Sequence, residues 1–507
     1  MYNKLRIFCR ILPMEGKNPT TTLGKNIGTH FMASEKHEVN EQRLLPLSYP
    51  YPQPRLKGSY VERLTAIVSG NLDFHHTNSR YATHVIHSFP AKFPPQLPRL
   101  FINELTRPGD IVLDPMMGSG TTLVEASLAG REGIGVDIDP LALRIAKVKT
   151  APIDTERIVT TLQSIMKTTK QRIADADEET FLTDFEAAFD TKTQKFIRYW
   201  FAPQTAKALF YLSRAIADIP DPTLRLFFEV AFSSIIITKR GGVSLALDLA
   251  HTRPHRAKIV IDEEGNTILH SDNVSPRRLH VLTKQLRPVL SEFERRVQNN
   301  MNSLLALKGP SVGTHVLAGD ARQMPLADHS VDLIVTSPPY AANAIDYMRA
   351  HKFSLVWFGC SVNTLGAFRR KYIGSETKVP TSDRDFPSTV RDILERLAEQ
   401  DTKKMQAVRR YYTEMRDVLR EMWRVLKPGK AALLVVGTSI IRGIDIQIAD
   451  CLAELGRDTG FTVPAVGVRN LDRNRRMLPT GTHIDTSSQI QQRMHQEFVL
   501  AFYKPAT

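Results

Sequence analysis

Cysteine is scarce. Only Cys9, Cys360 and Cys451 occur in 507 residues, far apart and with no CxxC pair. That excludes a disulfide-stapled secreted scaffold and points to a reducing cytosol. The 15 histidines show no HExxH and no Cys/His ligand spacing, so no metal site is expected. No apolar run approaches the ~18 residues of a membrane span, which excludes a helical membrane anchor as a reading of the sequence. The opening MYNKLRIFCRILPMEG is basic but only brokenly apolar. It makes a poor signal peptide and reads as a loose arm. A cytoplasmic location without a membrane partner is therefore expected. Internal repeats and low-complexity tracts are absent too, which excludes solenoids and propellers.

Basic residues are in surplus. Lys+Arg is 67 and Asp+Glu is 53, giving a net charge of +14. The excess suits a polyanionic partner, although charge says nothing about fold. Hydrophobic residues make up 42% and charged residues 24%, a balance that excludes wholesale disorder. The length suffices for about two to four domains and for a core without staples.

Residues 1–80 are polar, basic and turn-rich, and read as an extended N-terminal arm with a short helix near Val61–Ser69. From 81 to 150 the texture alternates. Pro98–Thr106 is a helical stripe and Ile111–Asp114 a short strand ending in an acid. Met117–Gly120 is a glycine turn, and Thr121–Ala129 a helix opened by hydroxyl residues. Gly133–Asp137 is a second strand with a terminal acid, and Pro140–Lys149 a helix. This βαβα order predicts a parallel sheet. Residues 151–314 read as a mainly helical insertion with a hairpin at Lys258–Leu269. The alternation resumes over 315–507, with strands at His315–Asp320, Val331–Thr336, Ala431–Val436 and Glu497–Tyr503 and a helical insert at 341–426. The expected fold class is α/β: one Rossmann-like sheet interrupted by a large helical insertion.

Three segments carry chemistry. In Asp114-Pro-Met-Met-Gly-Ser-Gly-Thr-Thr122 a strand enters, the chain turns on two glycines and a helix leaves. Such a turn brings backbone close to a ligand at the carboxyl edge of a parallel sheet. A phosphate loop would carry lysine after the second glycine; Thr121 stands there, and the acid repels phosphate. A cationic or amine-bearing ligand fits better. Asp137 ends the next strand, where a carboxylate can accept from a ribose diol. Asp320 closes a later strand, so three acids would ring one crevice. In Thr336-Ser337-Pro338-Pro339-Tyr340 two prolines fix the backbone and remove two donors. A row of carbonyls, a hydroxyl and an aromatic ring remain, an inventory suited to a planar group bearing NH2. Glu125 and Asp139 read as helix-surface and helix-capping residues.

DPMMGSGTT, GVDIDP, GDAR and TSPPY, in that order, resemble the motifs of amino-directed DNA methyltransferases that use S-adenosylmethionine. HSFPAKFPPQLPR (His87–Arg99) is similar to the segment preceding the glycine turn in that family. The matches cover residues 85–150 and 315–345, with fainter likeness in VLKPGKAALLVVG and EFVLAFYK. The resemblance implies that Asp114, Pro115, Gly118, Ser119 and Gly120 hold the methionine moiety. Asp137 would bind the ribose and Asp320 the adenine amine, with Lys92 and Phe93 at the same cleft. Ser337 and the Pro338 carbonyl would hold the target amine, Pro339 would stiffen the loop, and Tyr340 would stack on an extruded base. Such an amine is a poor nucleophile until acceptor oxygens localise its lone pair, so the chemistry needs orientation more than a strong base. No cysteine adjoins the prolines, which argues against carbon-5 methylation. Serine at the head of the motif favours cytosine N4 over adenine N6.

Basic clusters flank these segments: Lys239 and Arg240; Arg253 and Arg256; Arg369 and Arg370; and a late loop with Arg469, Arg473, Arg475 and Arg476. Arginine-rich loops suit phosphate contacts and guanine edges, so double-stranded DNA is the expected partner, with a cognate restriction endonuclease as a candidate second one. Two alternatives compete: a tRNA guanine-N2 methyltransferase, and a cofactor- and DNA-binding regulator without turnover.

Overall fold

The computed structural model describes residues 56–238, 242–247, 249, 254–270, 282–305, 313–341, 346–375, 385–471 and 496–506. Short apolar runs become strands: β1 (Ile111–Asp114), β2 (Glu132–Asp137), β3 (Thr314–Ala318), β4 (Val331–Thr336), β5 (Leu426–Gly437), β6 (Thr462–Asn470) and β7 (Gln496–Lys504). They form one sheet in the order β3-β2-β1-β4-β5-β7-β6. The first five run parallel, and β7 lies antiparallel between β5 and β6. The observed α/β sheet, with its helical insertion between β2 and β3, agrees with the expected class.

Alternation along the strands gives the sheet two apolar faces. Val112, Leu333, Val335, Leu433 and Val499 face one layer, built from α1 (Tyr60–Val68), α2 (Gln96–Leu105) and α3 (Thr121–Leu128). Their neighbours Leu113, Ile334, Leu434 and Leu500 face the other. α4 (Pro140–Thr150) follows β2. The insertion consists of α5 (Thr155–Asp175), α6 (Glu178–Ala188), α7 (Thr191–Trp200), α8 (Pro203–Ala217), α9 (Pro222–Ile236) and α10 (Val289–Leu305). Aspartates 139, 154, 177, 190 and 221 accept from first-turn amides and so start α4, α5, α6, α7 and α9. A small sheet lies beside these helices. The expected hairpin forms between 259–261 and 267–269, and 283–285 adds a parallel strand.

The insert after β4 divides between two cores. α11 (Tyr347–Leu355) and α12 (Val362–Lys371) pack into the helical body. α13 (Ser388–Gln400), α14 (Thr402–Val425) and α15 (Ile448–Thr459) cover the second face of the sheet.

The short helix expected near Val61–Ser69 forms as α1, with Ser59 and Glu62 as its capping box, and Leu64, Ile67, Val68 and Leu72 are buried on the sheet. Two expectations are corrected. Glu125 is buried rather than on a helix surface, where it receives Tyr81 (2.7 Å), His84 (2.7 Å) and Arg99 (2.7 Å). Arg469 lies in β6 rather than a loop and pairs with Glu497.

Candidate active site

β1 and β4 are direct neighbours, with Val112 beside Leu333 and Leu113 beside Ile334. Both run off the same edge, so the turn that begins after Asp114 and the segment that begins at Ser337 leave the sheet from neighbouring strands although 223 positions separate the two residues. From β1 the chain turns towards β2, and from β4 towards β5. This is the switch point at which an open α/β sheet leaves a crevice.

On the β1 side, Gly118 (φ 49°) and Gly120 (φ 73°) take left-handed conformations. A Cβ on Gly120 would stand 3.0 Å from that of Ala146 on α4, and one on Gly118 would stand 3.1 Å from the Phe89 ring. The turn is held from below by Lys149, whose fully buried amine donates to the Ser119 carbonyl (2.8 Å). Burial holds that amine well below its ordinary pKa. Pro115 is buried as well.

Asp137 reaches across to the turn. Its carboxylate accepts from Gly118 N (2.8 Å) and from Asp139 N (2.8 Å). Burial, reinforced by the charge of Asp139, pushes its pKa up to about 7. Asp114 is buried and accepts from Met116 N (3.2 Å); burial lifts it to about 6. Asp139 behaves in the opposite way. Burial raises it, but the charge and hydrogen bond of His351 (2.7 Å) and the Tyr372 hydroxyl (2.6 Å) outweigh burial and hold it at about 2. Two carboxylates whose burial penalises their charge, beside the glycine turn, suit a ligand whose positive charge and hydrogen-bond donors favour the ionised form. They do not suit a phosphate. S-adenosylmethionine, with its sulfonium, ammonium, ribose diol and adenine amine, fits that donor set.

Asp320 follows β3, and Arg322 engages its carboxylate in a fork (Nε 2.9 Å, Nη2 2.6 Å), which holds its pKa low against partial burial. Lys92 spends its amine on the carbonyls of His84 (2.9 Å) and His87 (3.2 Å). Phe93 packs into the α1–α2 layer. Phe89, four positions earlier, is the ring beside the glycine turn, and it stacks on Tyr347 with centroids 5.5 Å apart.

On the β4 side, Pro338 is buried while Ser337, Pro339 and Tyr340 are half-buried. Tyr340 packs against the α13–α15 layer and donates to Glu497 Oε1 (3.1 Å).

The basic candidates that the structure describes lie in different settings. Arg369 pairs with Asp346 (2.6 Å), and Arg256 lies 4.7 Å over the exposed Tyr199 ring. Arg370 is exposed. Lys239, Arg240, Arg253, Arg473, Arg475 and Arg476 lie outside the described residues. Sequence reasoning misses Phe89, His351, Tyr372 and Glu497. Only Phe89 carries a signal, its place in the His87–Arg99 segment. Among the described residues no cluster of His, Cys, Asp or Glu could hold a metal, and no helix is long and apolar enough to cross a membrane.

Residues 21–148 match the DNA methylase family. The type II methyltransferase M.MvaI of Kocuria varians is 24% identical over 421 residues, covering 78% of this chain and 86% of that protein. M.BsoBI of Geobacillus stearothermophilus is 21% identical, covering 70% and 73%. M.MjaII of Methanocaldococcus jannaschii is 34% identical over a shorter stretch, 22% of this chain and 21% of that protein. Among solved structures, a SAM-dependent methyltransferase of Methanosarcina mazei aligns at 11% identity over 80% of this chain and 98% of that one, with a TM-score of 0.28. The DNA methylase match and the type II relatives make the chain similar to the amino-directed DNA methyltransferases and support an S-adenosylmethionine-dependent enzyme acting at cytosine N4 or adenine N6.

Proposed function

We propose that this enzyme methylates the exocyclic amine of a base flipped out of double-stranded DNA, cytosine N4 in preference to adenine N6, as the modifying half of a cytoplasmic restriction–modification system. The observation that carries the reading is the pairing of β1 with β4, which sets the acidic glycine turn beside Ser337–Tyr340. The type II names of the relatives support the restriction–modification setting and a cognate endonuclease as partner. Serine at the head of the motif supports cytosine N4.

Asp114, Pro115, Gly118, Ser119 and Gly120 hold the methionine end of the cofactor, Asp137 its ribose and Asp320 its adenine amine. Lys92 shapes the cleft by tying its walls together, and Phe93 acts only through packing. Bound there, the cofactor supplies an electrophilic methyl on a cationic sulfur. The Ser337 hydroxyl and the Pro338 carbonyl accept hydrogens from the target amine, which turns its lone pair out of conjugation and towards the donor side. Pro339 keeps that loop rigid, and Tyr340 stacks on the base. Prepositioned acceptors of this kind lower the barrier because nothing has to reorganise during transfer. Residues 151–314 read the target sequence. Lys239, Arg240, Arg253, Arg256, Arg369, Arg370, Arg473, Arg475 and Arg476 bind DNA, chiefly at phosphates.

Long-read sequencing of DNA from a host expressing the chain reports modified base and sequence motif together. N4-methylcytosine at one short motif is expected, whereas unmodified host DNA with methyl label entering tRNA would end the reading. Tyr340→Ala is expected to lower turnover roughly a hundredfold while the cofactor dissociation constant moves less than about twofold, because the ring touches the base only. Calorimetry beside a methyl-transfer assay checks both numbers.

A further inference from the structure

The antiparallel strand β7 brings its amino end to the edge where the parallel strands present their carboxyl ends. Glu497 sits at that end, paired in register with Gly437 at the end of β5 and with Arg469 on β6. Its two oxygens are divided. Oε1 accepts from the Tyr340 hydroxyl at 3.1 Å, and Oε2 is in an ion pair with Arg469 Nη1. Both partners of that pair are nearly out of water, Glu497 at 9% and Arg469 at 8% exposure. A buried ion pair is a poor source of stability, since desolvation offsets its attraction and an apolar pair of similar volume serves as well. Here the pair leaves one carboxylate oxygen aimed at the aromatic ring of the acceptor motif. That ring is already half-buried against the α13–α15 layer. Pinning its hydroxyl removes the remaining freedom of the ring to tilt. The hydroxyl of Ser337 faces the same phenolic oxygen, so the clamp also bears on the first residue of the motif.

We propose that Glu497, locked by Arg469, is a positioning residue for methyl transfer: it clamps the Tyr340 phenol so that the ring presents a fixed face to the target base. The inference rests on the proposed base-stacking role of Tyr340. It assigns a function to a strand outside the three segments that carry chemistry.

A double-mutant cycle tests it. Glu497→Gln keeps an acceptor but breaks the ion pair, and Tyr340→Phe keeps the ring but removes the clamped hydroxyl. Each is expected to lower the methyl-transfer turnover roughly tenfold, and the double variant no further than the worse single one, because both remove one linkage. The affinity for S-adenosylhomocysteine, read by calorimetry, should stay within about twofold throughout. The same cycle on cofactor-free protein, read by urea unfolding, should also be non-additive. Arg469→Lys, which keeps the charge but replaces the guanidinium donor by a shorter ammonium, is the milder variant and is expected to lower turnover roughly threefold. Effects on turnover that multiply, or a cofactor affinity that falls in step with turnover, would overturn the proposal. Coupling in unfolding without coupling in transfer reduces the pair to a structural contact and overturns it as well. A wild-type chain that methylates no DNA overturns both this inference and the reading beneath it, whereas an active wild type with uncoupled variants overturns this one alone.

Discussion

Asp114 and Asp137 border one crevice and release their protons at about pH 6 and about pH 7, well above a free aspartate, because burial penalises the charged form. In the unfolded chain both would ionise near 3.8. Between those limits the folded, cofactor-free protein holds protons that the unfolded chain has lost, so raising the pH removes stability. A cationic ligand prefers the ionised carboxylates and reverses that penalty. Cofactor affinity is therefore expected to rise as pH climbs from about 5.5 to 8, by roughly tenfold or more, with the steepest change near the higher of the two values. Calorimetric titrations across that range check it, and a flat profile would contradict the placement of the acids. Asp137→Asn should weaken cofactor binding roughly tenfold or more, since hydrogen bonds to a charged acceptor are worth about 1.5–3 kcal/mol. The same variant should stabilise the cofactor-free chain at pH 8, because a buried charge has been removed. Few substitutions in this protein should move folding and binding in opposite directions.

The glycine turn makes its case at the scale of an element. Gly120 combines a left-handed backbone with a Cβ position 3.0 Å from Ala146, so Gly120→Ala must both strain φ and push α3 off α4. A loss of about 2–4 kcal/mol in urea unfolding is expected from the two effects together. Asp139 joins elements in another way: it caps α4, and its carboxylate also takes His351 of α11 and Tyr372, just past α12. Its pKa is held at about 2, so its contribution is complete above about pH 4 and fades as acid approaches the lower value. Asp139→Asn removes the charged acceptor that the buried His351 and Tyr372 share and is expected to cost about 3 kcal/mol by the same unfolding measurement. Elements also mark where sequence reasoning stops. Strands ending in Asp114, Asp137 and Thr336 are readable because an apolar run and its terminal residue are local features. β6 is not, because Pro464 and Gly467 interrupt its pattern. Gly467 lies so close to α1 that a side chain there would collide with the Val68 carbonyl. The partners of Glu125, Asp139 and Glu497 lie 26 to 233 positions away, a separation that leaves no trace in spacing.

At the scale of the whole chain, the helical insertion between β2 and β3 packs against helices that belong to the sheet. One apolar cluster runs from Leu141 and Ile145 of α4, through Phe228 and Phe232 of α9 and Phe293 of α10, to Phe353 and Trp357 beyond β4. α4 follows β2, which ends in Asp137, and α11 follows Ser337–Tyr340, so the elements after both proposed halves of the site extend into the core of the insertion. Among the described residues the main cluster of the insertion therefore takes in α4 and α11, and removing the insertion would expose Leu141 and Phe353. Full burial of side chains of this size is worth about 1.5–3 kcal/mol each, and the shared interface has many of them. The protein is expected to unfold in a single calorimetric transition whose enthalpy matches the van't Hoff value. A chain with residues 155–305 replaced by a short linker should fail to give a folded cofactor-binding sheet. Two resolved transitions, or a shortened chain that still binds S-adenosylhomocysteine, would show instead that the methyl donor site stands without the helical body. Under the proposed division of roles, the common cluster also predicts that target DNA at the insertion and cofactor at the sheet stabilise one another's sites. Thermal unfolding with both ligands should then rise above the sum of the separate shifts, which a pair of independent domains would not do.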